Sequence, residues 1–411
     1  MILWSPCNLE KFLRPLKAAS KVLPILLTAS SLGVGQLLAS DCDEESKMAT
    51  EFGTVKPLGE NYSSSTIPYE IPAGNDIRAM RLLLSPIQSQ GIHWTIVIRD
   101  ALERPLAALS SEQFSRGNPF WTDRFTSNYL QVFVSSNARV GEPVIRAVEY
   151  VAIPREAQHP YYSLQGLTPA WRSLYEPRNA ENPTGGGTTF FRRIGDSVGM
   201  LIAHAGNHVT GYKSWTCSGF LVANKPNLLF VTNDHCGGPW NANSRWSEPV
   251  CSSAIVDFSW NGAAVPREYK CRRVYRDRVH DLAVLKLAGS TEVPPEPLRL
   301  RGKEIGEEEI AILHHPAALE KQISDHCHAV TAFALATTTV NGKQDFAYPC
   351  DTEGGSSGAP VLDKGGRVVG IHHIGFQTDA HGRCDQLNKA IKTNFLVEFL
   401  RSKHLRGFIV N

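Results

Sequence analysis

What is scarce in this sequence narrows the options first. Net charge is nearly absent: 42 Lys and Arg against 40 Asp and Glu leave +2 over 411 residues, and no long basic run breaks that balance. The phosphate attraction that carries nucleic-acid binding is therefore missing. Charged residues are 20% and hydrophobic residues 42%, a globular balance that excludes a disordered or fibrous chain. No C-x-x-C or H-E-x-x-H spacing offers a metal site, and no internal repeat marks the motif-bearing parts. Cysteine and histidine are rare in the first half. Seven of nine cysteines follow residue 210, and twelve of fourteen histidines follow residue 200. The length suits two to three domains, with the chemistry expected in the C-terminal half.

The first forty residues read as an export signal. Lys11, Arg14, Lys17 and Lys21 form a basic n-region, Val22 to Leu38 is largely apolar, and Ala39-Ser40 suits a signal peptidase. An uncleaved anchor is the alternative, although Pro24, Gln36 and several hydroxyl residues interrupt the run. Residues 1–40 are thus expected to be a signal peptide and the chain secreted or periplasmic, without stable membrane association after cleavage. In such an oxidising compartment clustered cysteines pair.

Residues 41–66, rich in Ser, Thr, Glu and Asp, read as a flexible leader. Short β-rich runs follow to residue 154. Trp94, Ile96 and Ile98 alternate with Thr95, Val97 and Arg99, and Tyr129–Ser135 and Val144–Ile153 are further runs. Residues 41–154 are therefore expected to form a β-sandwich, an accessory or pro-domain without its own catalytic cluster. Residues 155–187 hold several prolines, end in Pro183-Thr184-Gly185-Gly186-Gly187, and read as a linker. From 188 to 411 short strands resume. Phe395, Leu396, Phe399 and Leu400 then fall at helical spacing, with Thr393 placed to cap.

Three segments carry the candidate chemistry: Thr232-Asn233-Asp234-His235-Cys236, Asp281-Leu282-Ala283-Val284-Leu285, and Gly355-Ser356-Ser357-Gly358-Ala359-Pro360. A serine hydroxyl needs an imidazole to take its proton, and the imidazole needs a carboxylate to fix its tautomer. Backbone N–H groups must receive the oxyanion. Ser357 is the expected nucleophile, His235 the base and then acid, and Asp281 the orienting carboxylate, with Asp277 as its rival. The N–H groups of Gly355 and Ser357 are the expected oxyanion hole.

These segments, in the order His, Asp, Ser, resemble the chymotrypsin-fold serine peptidases. Within that family Ala311 to Pro316, Glu320 to Ser324 and Gly370-Ile371-His372-His373 resemble bacterial lysyl and glutamyl endopeptidases. The resemblance covers residues 188 to 411. It implies an all-β double antiparallel barrel with a C-terminal helix, protein or peptide substrates, no cofactor, and a monomer. It also implies the disulfide Cys217–Cys236; Cys327–Cys350 and Cys251–Cys271 are the further expected pairs, leaving Cys384 without a mate unless it reaches Cys42 or exchanges with Cys350. Ser356 stands where trypsin has an aspartate, so activation through an ion pair to a new N-terminus is not expected. In the strand after the nucleophile, His372 matches a residue that receives an acidic P1 side chain, and His373 is its neighbour. One gapped alignment places Asp385 where a basic P1 would bind, and a slip puts Asn388 there. A basic P1 is the leading expectation and a glutamyl-type preference the alternative. A catalytically silent binding protein on the same fold and a metal-dependent hydrolase using His314, His315, His326, His328 and Cys327 are the competing classes.

Overall fold

The computed structural model describes residues 50–411 apart from 52, 89–90, 114–118, 137–140, 155–167, 176–188, 208–210, 239–244, 262–266, 290–292, 331–343 and 376–386. Its N-terminal part is a sandwich of two four-stranded antiparallel sheets. One sheet runs Thr54–Tyr62, Val144–Pro154, Ile77–Gln88 and Phe120–Trp121; the other runs Tyr69–Pro72, Tyr129–Ser136, Trp94–Arg99 and Pro105–Ser110. The alternation seen in the sequence is what folds it. Trp94, Ile96 and Ile98 are buried while Thr95, Val97 and Arg99 lie half-buried on the other face.

Two six-stranded units follow. In the first, Gly211–Ala223, Val198–Asn207, Ile255–Asp257, Glu268–Asp277, Leu282–Ala288 and Leu228–Asn233 each pair with the next, and the last pairs back with Gly211–Ala223, closing an antiparallel barrel. In the second, Gln322–His328, Glu309–His314, Pro360–Asp363, Val368–Ile374, Asn388–Lys392 and Asp345–Tyr348 follow one another antiparallel. Its ends meet through a bridge between Val330 and Ala347. Each unit has its own core, and a third cluster fills the seam between them. Phe220, Val231 and Leu282 pack there against Leu313, Leu362, Val368 and Ile391, with Leu396 and Leu400 of the helix Thr393–Ser402 sealing one side. The expected all-β double barrel with a terminal helix is the fold observed.

Three local readings differ from expectation. Thr393 does not cap the helix; it is the first helical residue, and its hydroxyl donates to the Val368 carbonyl at 3.0 Å. Part of the leader is built into the structure, because Thr50–Glu51 pairs with Gly211–Ala223 and Thr54–Tyr62 is a sandwich strand. Part of the linker is too. Arg172–Ser173 adds a strand beside Gln322–His328, and Leu174 is fully buried in the seam core. Polar composition misled in these places, since a short edge strand needs only backbone pairing. The expected signal peptide, Gly187, Cys42, Cys384 and Asp385 lie outside the described residues. Among the described residues no helix is long and apolar enough to cross a membrane.

Candidate active site

The strands Leu228–Asn233 and Leu282–Ala288 pair with Asn233 opposite Leu282, so the residues just past one and just before the other meet at one barrel end. Those residues are His235 and Asp281. Asp281 Oδ1 accepts the backbone N–H of His235 at 2.9 Å, and Oδ2 accepts Nδ1–H of its ring at 2.7 Å. This leaves Nε2 as the free ring nitrogen facing outward from the pair. Burial alone would raise the Asp281 carboxyl, but the His235 ring and then His373 outweigh it and hold it well below the usual carboxylate range. The Asp281 carbonyl accepts from the Asp234 N–H and from Asn233 Nδ2, each at 3.1 Å. Asp234 in turn is clamped by Arg276 at 2.6 and 3.1 Å. The unusual Asn233-Asp234 pair thus holds the carboxylate loop. The rival Asp277 is engaged elsewhere, accepting from His280 Nδ1 at 2.7 Å.

Ser357 comes from the second barrel and docks on the first. Its carbonyl accepts the Ser218 N–H at 2.8 Å, and Cys236 Sγ lies 3.9 Å from the same oxygen, one residue past His235. Ser218 is the hinge of this docking. Its hydroxyl donates to the Gly355 carbonyl at 2.8 Å and accepts the His315 N–H at 2.9 Å, while its carbonyl accepts from Thr232 Oγ1 at 2.9 Å. Gly358 has φ +85°, and a Cβ there would sit 2.3 Å from the Ser218 carbonyl, so this close approach requires glycine. A Cβ at Gly355, with φ +94°, would sit 2.7 Å from the His315 carbonyl.

The N–H groups of this loop divide in two. Ser356 N–H donates to the Glu353 carbonyl at 2.9 Å and Gly358 N–H to the His372 carbonyl at 2.8 Å. Gly355 and Ser357 N–H donate to nothing among the described residues. Ser357 Oγ likewise forms no hydrogen bond to the His235 ring among the described residues; such contacts often tighten only on substrate binding. Ser356, where trypsin has an acid, meets His314 Nδ1 at 2.8 Å, and His314 Nε2 meets Ser324 Oγ at 3.2 Å. Burial drives His314 down to about 3, so the loop is tied by a neutral ring.

The expected specificity residues separate. His372 is buried, and its Nδ1 shares a hydrogen bond with the Tyr348 hydroxyl at 2.6 Å. Burial keeps Tyr348 protonated and His372 neutral. Asn388, the slipped-alignment alternative, accepts from Thr352 Oγ1 at 2.8 Å and donates to the Cys350 carbonyl. His373 does not share the surroundings of His372. It faces Asp281 and Asp345 instead, because neighbouring residues on a strand point to opposite faces. Its neighbourhood was missed in the sequence, where a His-His pair reads as one feature. Ser218 was also missed as a docking residue, although it stood inside a motif.

The disulfides Cys217–Cys236, Cys251–Cys271 and Cys327–Cys350 are all formed. Cys217, His235 and Cys236 lie close enough to suggest a metal site, but both sulfurs are spent in the disulfide. Nor do the other suspected ligands converge on one point. His314 bonds to Ser356 and Ser324, His315 Nδ1 to the Leu319 carbonyl, and Cys327 to Cys350.

Two antiparallel six-stranded units with a histidine–aspartate pair on one and a glycine-flanked serine loop on the other define a chymotrypsin-like architecture. Residues 217–371 match the family described as "Trypsin-like peptidase domain". A curated relative is "Secreted RxLR effector protein 73" of Plasmopara viticola, 30% identical over 200 residues. That match covers 46% of this chain and 47% of the relative, so the chain spans about half the length of the curated relative it matches. Among solved structures, the Rv3671c protease of M. tuberculosis in its active form aligns over 59% of this chain and 96% of its own, at 18% identity and TM-score 0.39. Its inactive form aligns over 51% and 90%, at 18% identity and TM-score 0.37.

Proposed function

We propose that the chain is an exported serine endopeptidase that cleaves peptide bonds through an acyl-enzyme. The observation that carries this reading is the contact of His235 Nδ1 with Asp281 at 2.7 Å beside a serine loop whose Gly355 and Ser357 N–H groups are unused. Nε2 of His235 takes the proton of Ser357 Oγ as that oxygen attacks the scissile carbonyl. Asp281 holds Nδ1–H and stabilises the imidazolium that forms. The carbonyl oxygen gains negative charge and is received by the two free N–H groups, each worth about 3 kcal/mol of barrier. His235 returns the proton to the departing amine, and water then cleaves the ester by the same route. Export is supported by the basic-then-apolar N-terminal segment, the three disulfides and the secreted relative.

The test is covalent labelling by a fluorophosphonate. Wild type should label and Ser357→Ala should not, with peptide hydrolysis falling by about 10⁴-fold or more. A catalytically silent fold would leave wild type unlabelled whether or not it was processed.

For the P1 side chain, one observation favours an acceptor over a basic group. The positive charge of Lys389 is felt at the buried His372 ring, and a cation there disfavours a second one. A digest of a peptide library should then show cuts after Glu or Gln; cuts after Lys or Arg would restore the basic reading.

A further inference from the structure

A second imidazole–carboxylate pair lies behind Asp281. His373, on Val368–Ile374, places Nδ1 3.4 Å from Asp281 Oδ2 and Nε2 3.3 Å from Asp345 Oδ2 on the strand Asp345–Tyr348. The His373 and Asp345 side chains are 1% and 0% exposed. From the cleft inward the groups therefore alternate His235, Asp281, His373, Asp345.

Both ring nitrogens of His373 face a carboxylate oxygen, and an ionised carboxylate only accepts. A neutral imidazole has one N–H and can serve one of the two. Serving both requires the imidazolium. Asp345 makes the same demand from its side: its two oxygens and His373 Nε2 are buried without hydrogen-bond partners, so the 3.3 Å contact between them is one of charge, and a buried unpaired carboxylate is costly. Burial opposes the cation, yet Asp345 and Asp281 outweigh it and lift His373 to about 9. The other ionisable groups around this centre are His235, His314, His372, Tyr348 and Lys389. Burial keeps His314 and His372 neutral and Tyr348 protonated, so Lys389 is the remaining cation, and its field is felt at His372.

We propose that His373, facing Asp281 on one side and Asp345 on the other, is a positioning residue that fixes Asp281 Oδ2 from behind and tempers its charge. This rests on the serine-peptidase reading. Asp281 Oδ2 receives Nδ1–H from both rings, so it cannot rotate away from His235 without breaking the second contact. The positive charge on its far side also weakens the pull that Asp281 exerts on a proton at His235. Without that cation, activity should be lost sooner on acidification.

The double variant His373→Gln/Asp345→Asn removes the cation and its counter-charge together, which avoids stranding a buried carboxylate. In it the midpoint of the acid limb of Ser357 labelling by fluorophosphonate should rise by about one pH unit. With peptide substrate, kcat should fall about tenfold while KM changes less than twofold. Asp345→Asn alone should shift the limb in the same direction. An unchanged acid limb, with any loss of rate matching a loss of folded protein, would overturn the proposal. Nitrogen-15 NMR of the histidine rings reads the charge independently of catalysis. Two protonated nitrogens on His373 at pH 7.5 support the cation, and a neutral ring overturns it. Wild type that never labels, yet shows a doubly protonated His373, would sink the peptidase reading and the positioning role while leaving the buried cation intact.

Discussion

Asp281 adopts φ +51°, a left-handed backbone that costs most side chains about 1–2 kcal/mol and aspartate less. The conformation is held by the two donors on its carbonyl, Asn233 Nδ2 and Asp234 N–H, and it turns the carboxylate back under His235. Replacing that carboxylate by an amide would place a donor where Nδ1–H must be accepted and favour the wrong tautomer. Asp281→Asn should therefore lower kcat by about 10⁴-fold with little change in KM. Asp277→Asn should stay within about threefold of wild type, since its carboxylate serves His280 on the surface. Comparable losses from the two variants would mean that the carboxylate role has been assigned to the wrong residue. The three candidate catalytic residues were legible because each sits in a short motif whose spacing is fixed by one turn. Asp345 was not, because its meaning comes from a strand pairing and a burial that no local pattern encodes.

At the scale of elements, the strand Val144–Pro154 was readable as β from its Val, Ile and Ala content, but one of its residues runs against that content. Glu149 is 7% exposed, no described ion pair engages it, and burial lifts its carboxyl from 4.5 to about 7. Between those two values the folded chain keeps a proton that the unfolded chain has lost. Stability therefore falls as pH rises through that window, and the loss is complete above the folded value. Glu149→Gln removes the ionisation, and should stabilise the protein by ~1 kcal/mol at pH 8 and leave it nearly unchanged at pH 4. Thermal melts at the two pH values check this; an equal gain at both would point to packing instead of charge. Other elements were less legible. Thr50–Glu51 lies in a polar stretch and Arg172–Ser173 between Pro169 and Pro177, and their strand character comes wholly from the partner strands that receive them. Barrel strands with apolar runs, such as Leu228–Asn233 and Leu282–Ala288, needed no such help, whereas the largely polar Glu268–Asp277 and Gln322–His328 were not legible as strands.

For the molecule as a whole, the question is whether the sandwich is a removable pro-segment. The contacts argue that it is a permanent part. Arg124 of the sandwich side is 5% exposed and forks onto Asp257 at 2.7 Å and Glu268 at 2.9 Å, two carboxylates of the first barrel. Fully buried Arg81 donates to the Ser253 carbonyl and to His204 Nε2, both at 2.9 Å. Around these charges Val55, Ala79, Trp121, Val151 and Ile153 pack against Met200, Ile202, Ile255 and Trp260. Removing the sandwich would strand Asp257 and Glu268 without their cation and expose that apolar face, a loss of several kcal/mol. A cut in the glycine run 183–187 would also detach Arg172–Ser173 and the buried Leu174 from the second barrel, unless the pieces stayed together. We therefore predict that cleavage there leaves one particle. Both fragments should co-elute in gel filtration at physiological salt and separate only in denaturant. Arg124→Ala, which leaves two buried carboxylates unpaired, should lower stability by about 3–5 kcal/mol and let the fragments part. A peptidase fragment that elutes alone, folded and active, would show instead that the sandwich is a dispensable chaperone.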